Sequence, residues 1–176
     1  PSPAKNMPNG KNITLSPGWY PRGINVNGGN TTVTLNPGVY YLGGPGAGDT
    51  GGFSINQTSS SITGTGVTIY VAKGKIDIGG GTTVNLTPPT GEQPYAEQQL
   101  TIWQASADES TISGSGNLNI EGTIYAPHAR LKIGGTGDGF GNQLIAYRLT
   151  IFGDGIKQIN YTGANPGITP KYVVLV

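Results

Sequence analysis

Leu149-Thr150-Ile151-Phe152-Gly153 is one of five copies of a short phrase, and its repetition decides the fold. The others are Ile24-Asn25-Val26-Asn27-Gly28, Ile76-Asp77-Ile78-Gly79, Leu118-Asn119-Ile120-Glu121-Gly122 and Leu131-Lys132-Ile133-Gly134. Each sets two apolar residues at i and i+2 around a polar one, so the apolar pair faces one side of a strand and the polar residue the other. A second phrase recurs in identical register 20 residues apart, as Ile13-Thr14-Leu15-Ser16-Pro17-Gly18-Trp19-Tyr20 and Val33-Thr34-Leu35-Asn36-Pro37-Gly38-Val39-Tyr40. Short alternating strands closed by glycine at such a period predict a stacked solenoid.

Composition agrees once it is read with the pattern. The 31 glycines and 13 prolines make up a quarter of the 176 residues, a share that also occurs in low-complexity linkers. A linker has no reason to keep Val, Ile and Leu in register, whereas a solenoid corner needs backbone that only Gly adopts freely. No stretch of ten residues carries a helical apolar period, and the nearest candidate, 91–99, is interrupted by Pro94. The expectation is an all-β, single-domain parallel β-helix with roughly 18–20 residues per rung and little or no helix, apart from one turn near 95–99. At that period the chain makes about eight or nine rungs and a rod on the order of 40 Å long. Residues 1–162 form the solenoid, and 163–176 a Gly/Pro-rich connection ending in a terminal strand or cap. Longer corner loops are expected at 43–52, 88–97, 106–110 and 134–141.

Charge excludes several function classes. Net charge is +1, charged residues are 11% of the chain, and Lys and Arg do not cluster, so neither nucleic acid nor an anionic membrane is expected as partner. There is no cysteine, hence no disulfide framework and no thiolate chemistry. No apolar run is long enough to span a bilayer. The chain opens at Pro1 rather than Met, which suggests a processed product or an excised domain.

Enzymatic solenoids work through clustered carboxylates, so the nine acidic residues are the test. Only Asp108 and Glu109 are adjacent, and strand neighbours point to opposite faces. Asp77, Glu121 and Asp154 each lie in or beside a copy of the repeated phrase. They would stack into a cation-holding acidic ladder if their rungs aligned, or stand apart as solvated positions that discourage edge pairing. The single histidine, His128, has no nucleophile or second ligand beside it and reads as a corner residue after Pro127. The run 134–142, with Asp138 among glycines, is similar to one imperfect copy of a calcium-binding nonapeptide, whose sites need successive repeats. The expectation is therefore no enzyme, with no catalytic, cofactor-binding or metal-binding residue, calcium being the one weakly supported cation.

The phrases Leu35-Asn36-Pro37-Gly38-Val39-Tyr40, Ser61-Ile62-Thr63-Gly64-Thr65-Gly66-Val67-Thr68-Ile69-Tyr70, Ile120-Glu121-Gly122-Thr123-Ile124-Tyr125-Ala126-Pro127 and Asn142-Gln143-Leu144-Ile145-Ala146-Tyr147 follow one another in this order. In wording and order they resemble the C-terminal β-solenoid of bacterial TadG-like proteins, which are associated with Flp (tight-adherence) pili. The resemblance covers roughly residues 13–162 and implies a module outside the cytoplasmic membrane, linked to adhesion or envelope attachment, without catalytic residues. A weaker similarity, carried by Ile102-Trp103-Gln104 and residues 122–126, is to bacterial ice-binding solenoids, which add a long helix that this sequence lacks.

Three features bear on binding. Thr31, Thr32, Thr34, Thr63, Thr65 and Thr68 supply the residue type for a water-ordering flat face, although Thr also simply suits exposed strand positions. Trp19, Tyr20, Tyr40, Tyr41, Tyr70, Trp103, Tyr125 and Tyr147 would stack on sugars, line a partner surface, or pack between rungs. Asn12, Asn30, Asn56, Asn85 and Asn160 begin glycosylation sequons, of consequence only in a eukaryotic host. The final Tyr172-Val173-Val174-Leu175-Val176 must be buried, as a last strand or by donation to a neighbour, which raises homo-oligomers or fibres built through terminal rungs. The reading is an extracellular or cell-surface structural or adhesive module that engages surface glycan or appendage proteins. Binding of ice or polysaccharide through a Thr- or aromatic-lined face is the alternative.

Overall fold

The computed structural model describes residues 10–115, 117–135 and 143–153, and within them the chain is a parallel β-helix with strands and turns but no helix. Each of the first four rungs has three strands: β1 (Asn12–Leu15), β2 (Gly18–Tyr20) and β3 (Ile24–Val26) in the first, and β4 (Thr32–Leu35), β5 (Gly38–Leu42) and β6 (Phe53–Ile55) in the second. The third has β7 (Ser61–Gly64), β8 (Val67–Val71) and β9 (Ile76–Ile78), and the fourth β10 (Thr83–Leu86), β11 (Leu100–Gln104) and β12 (Ser110–Ile112). In the fifth, β13 (Leu118–Ile120) is followed by the long β14 (Thr123–Ile133), and β15 (Gln143–Ile151) lies on β14 as the sixth level.

Every pairing is parallel. The first face is the sheet β1-β4-β7-β10-β13. The second (β2, β5, β8, β11) and third (β3, β6, β9, β12) are two wings of one sheet, joined where β14 bends through both. Four copies of the repeated phrase, in β3, β9, β14 and β15, stack on the third face, while Leu118-Asn119-Ile120 lies on the first.

Rung length departs from a uniform period. Asn12 pairs with Thr32, Leu131 with Leu149 and Thr123 with Gln143, steps of 20, 18 and 20 residues, as expected. Thr32 pairs with Ser61 and Val84 with Leu118, steps of 29 and 34. The loops at 43–52 and 88–97 account for the added length, so the described residues make six levels rather than eight or nine. The region 91–99 is a series of turns, with Ala96 N–H donating to Gln93 O (3.1 Å) and Gln99 N–H to Ala96 O (3.0 Å). Most of the 134–141 loop, Asn160, Asp138, Asp154 and the whole 163–176 connection and strand lie outside the described residues.

Inward positions alternate with outward ones along each strand and fill the stack with β-branched and aromatic side chains. Ile24, Phe53, Ile76 and Ile78 on the third face, Val33, Ile62 and Val84 on the first, and Tyr40, Ile69 and Ile102 on the second are fully buried. The Pro-Gly-x-Tyr phrase explains itself here. The Tyr40 hydroxyl donates toward Leu15 O (2.9 Å) and Asn36 O (2.8 Å), that of Tyr20 to Ser16 O (2.5 Å), and the two rings stack 5.8 Å apart. Each tyrosine thus closes its own corner from inside. Where two rungs meet at a corner, side chains are excluded: Gly23 has φ 77° and a Cβ there would collide with the carbonyl oxygens of Gly51 and Gly52. One buried polar cluster braces the 104–110 corner. Gln104 Oε1 accepts from Ser110 Oγ (2.7 Å), its Nε2 donates to Asp108 O (2.7 Å), and Ser110 Oγ also accepts from Ile76 N–H (2.8 Å).

Gly23→Ala should therefore destabilise the fold by about 3 kcal/mol or more, measured by urea denaturation, since both conformation and space are lost. Burial raises the Tyr20 and Tyr40 phenols above their ordinary range, with Tyr20 adding to the shift on Tyr40. Below the unfolded pKa of about 10 both states hold the proton; above it only the folded state does, so stability is lost as pH rises. Thermal melts should be flat from pH 7 to 9 and fall beyond about pH 10, less steeply in Tyr40→Phe.

Candidate functional site

The outward positions of the second face make one continuous feature. In β5, β8, β11 and β14 an aromatic residue is flanked on both sides by inward side chains: Tyr40-Tyr41-Leu42, Ile69-Tyr70-Val71, Ile102-Trp103-Gln104 and Ile124-Tyr125-Ala126. Strand parity therefore turns each ring out. Register then stacks them, Trp19 on Tyr41, Tyr41 on Tyr70, Tyr70 on Trp103 and Trp103 on Tyr125. Five aromatic residues occupy one column across five rungs, about 19 Å at the usual strand spacing. From Tyr41 to Tyr125 the rings meet edge to face, with centroids 5.9 Å apart for Tyr41 and Tyr70, 4.9 Å for Tyr70 and Trp103, and 6.0 Å for Trp103 and Tyr125.

The 87–99 loop supplies a sixth ring. Tyr95 stands at φ 63°, a conformation costly for an aromatic residue, and sets its ring edge-on to Trp103 at 6.1 Å. The Tyr95 phenol titrates above its ordinary range, first because the ring is desolvated and then because the Tyr41 and Tyr70 phenols lie alongside, Tyr41 hydrogen-bonded to it. The loop is tied to the face by Thr123 Oγ1 donating to Gln98 O (3.1 Å), and where it runs into β11 Thr68 Oγ1 donates to Leu100 O (2.7 Å). At the other end the column opens to solvent, with Trp19 48% and Tyr41 43% exposed. Trp19 is nonetheless fixed, since its indole N–H donates to Gly43 O at 2.7 Å.

The first face carries two ranks of small polar side chains. Thr14, Thr34, Thr63, Asn85 and Asn119 stack in register, and beside them run Asn12, Thr32, Ser61 and Thr83. Asn119 Nδ2 donates to Asn85 Oδ1 (3.0 Å) and Ser61 Oγ to Thr32 Oγ1 (3.3 Å), so the ranks are partly self-bonded. Of the six threonines expected there, Thr32, Thr34 and Thr63 belong. Thr31 and Thr68 are buried, because they occupy a corner and a loop-covered position, and Thr65 sits at an exposed corner between β7 and β8.

The described acidic residues do not converge. Asp77 is on the third face, in register with Ser54 and Thr111, and 3.3 Å from Lys75. Glu121 follows β13 at the end of the first face and accepts from Asn119 Nδ2 (3.3 Å). These two cannot share an acidic ladder, since their phrase copies lie on different faces. Glu109 pairs with Lys132 at 2.6 Å, and the hydrogen bond from that ammonium holds its carboxyl below the usual range. His128 is exposed within β14, where pairing with β15 shifts register. Among the described residues no group of three His, Asp or Glu side chains could hold a metal ion. Asn12, Asn30, Asn56 and Asn85 are all exposed.

Sequence reasoning named the aromatic residues without dividing them. The division was available from strand parity, which sends Tyr20 and Tyr40 in and Trp19 and Tyr41 out. Tyr95 was beyond it, because a loop residue has no period.

The chain belongs to the DUF7305 family, a domain of unknown function, whose model matches residues 47–161. No curated protein and no solved structure matches it.

The two tryptophans report on this face separately. In Trp103→Phe the remaining emission, from exposed Trp19, should be quenched readily by acrylamide. In Trp19→Phe it should be quenched about two- to threefold less, because the Trp103 ring is packed among Tyr70, Tyr95 and Tyr125.

Proposed function

We propose that this chain is a non-enzymatic, extracytoplasmic structural and adhesive module of a bacterial surface, in which stacked rungs form a rigid spacer that displays its faces and joins end to end. The observation that carries the assembly is the last level. Among the described residues β15 pairs only with β14, and on this last level Tyr147, Leu149, Ile151 and Phe152 are 70%, 41%, 59% and 43% exposed. Large apolar side chains beside a free parallel edge favour addition of another strand. At the far end, among the described residues, β1 pairs only with β4, and Ile13 and Leu15 are half-buried, so the two ends differ and contact between them is head to tail. Such a contact propagates as a filament. The likeness of the phrases to TadG-like solenoids supports placement on the cell surface.

A second reading is favoured by the first face. Its two uncharged ranks repeat about 4.8 Å along the axis and roughly 7 Å across it, a regular array able to order water or lie on an ordered polar solid. Thermal hysteresis abolished by Thr34→Lys would establish it.

Negative-stain microscopy with light scattering across a concentration series tests the main reading. Rods lengthening with concentration are expected, and Ile151→Lys should return them to single molecules. A wild-type chain that stays monomeric at all concentrations removes end-to-end assembly.

A further inference from the structure

We infer that the aromatic column on the second face is a binding track for an extended, neutral β-linked glucan lying parallel to the solenoid axis. The inference rests on the adhesive reading above and names what the module adheres to.

Three observations carry it. The first is an exposed apolar surface held ready: Trp19 keeps nearly half its surface in water while its N–H is committed to Gly43 O, and Tyr41 stands beside it at 43% exposure. Rings fixed before binding lose little freedom on contact, which favours stacking on a ligand with flat C–H faces. The second is charge. From β2 to Tyr125 the outward positions of this face are aromatic residues, threonines and Val39, with no formal charge among them. Asp77 and Glu109 lie with their Lys partners elsewhere, on the third face and its corners, and the acids nearest the column, Asp49, Glu92 and Glu97, belong to the 43–52 and 87–99 loops that border it, where they would repel an anionic chain. Such a surface suits a neutral polyol better than an anionic chain, and the phenol hydroxyls of Tyr41, Tyr70 and Tyr125 offer it hydrogen bonds. The third is shape. The column is one ring wide and runs along the stack axis, with one ring per rung and neighbouring centroids 5.9, 4.9 and 6.0 Å apart from Tyr41 to Tyr125, and the 87–99 loop borders it through Tyr95. One pyranose advances an extended β-linked chain by a similar length, so successive sugars meet successive rungs. A coiled α-linked glucan leaves such a straight track, and a protein partner needs a broader patch than one side chain.

The experiment is native affinity electrophoresis in gels cast with barley β-glucan, with amylopectin and alginate gels as comparators, alongside binding of labelled protein to bacterial cells. Retardation by β-glucan, with little in amylopectin or alginate, is expected. Trp19→Ala and Tyr41→Ala should each weaken it about threefold to tenfold, and Thr150→Ala, on the third face, should leave it unchanged. Circular dichroism checks that each variant keeps the strand content of the parent. Four results overturn the inference: no retardation by β-glucan, equal retardation of the Trp19 and Tyr41 variants, stronger binding to alginate, or a dimer that Tyr41→Ala dissolves. Protein that coats cells yet runs free in every glucan gel removes the glucan and leaves the adhesive reading intact. Retardation without attachment to cells does the reverse.

Discussion

Close backbone contact at the corners is the constraint on which this structure depends. At Gly23 the carbonyls of Gly51 and Gly52 in the next rung occupy the space a side chain would need, and at Gly51 the carbonyl of Lys73 does the same one rung further on. Only with the corners this near do the strands between them come within hydrogen-bonding distance along the whole stack. The inward ladders of Ile, Val and Tyr supply most of the stabilising burial, but they fall into line because the corners superimpose. Gly38 shows the same dependence inside a repeated phrase, since a Cβ there would press on the Pro17 ring in the rung before.

This constraint explains what could be read from the sequence. Residues 13–20 and 33–40 carry the same Pro-Gly corner, and before it Ile13 to Leu15 pair with Val33 to Leu35 at the spacing of 20 that the repeat predicts, whereas beyond it the spacing slips to 22 and Trp19 lies opposite Tyr41. The 43–52 and 88–97 loops were visible as Gly/Pro-rich interruptions. Their effect on rung number was not, because a loop lengthens the chain between corners without lengthening the stack. The phrase Ile-x-Ile did not tell one face from another: Ile76-Asp77-Ile78 and Leu118-Asn119-Ile120 are equivalent as strands but sit on different sides, which separates Asp77 from Glu121. A two-residue alternation defines in and out, and the identity of the face comes only from the number of corners already turned.

The two decorated faces follow from the same geometry in different ways. On the first, the outward residues are small and polar, so neighbours in a rank bond to one another, as Asn85 and Asn119 do. On the second they are large, and edge-to-face contacts order them from Tyr41 to Tyr125. A column of this kind requires each rung to contribute one ring at the same parity, which local strand propensity alone does not demand. Tyr95 adds to it from outside the repeat at the cost of a left-handed backbone.

The direction of the hydrogen bonds has a mechanical consequence. In a parallel stack the bonds between rungs run along the axis, so tension applied from the first rung to the sixth loads them lengthwise and concentrates on whichever end rung is weakest. Rungs then peel away singly at modest force, each releasing a long stretch of chain, and can stack again when tension drops. A tether built this way yields and dissipates under shear instead of snapping, whereas load applied across the axis meets many bonds at once and is resisted.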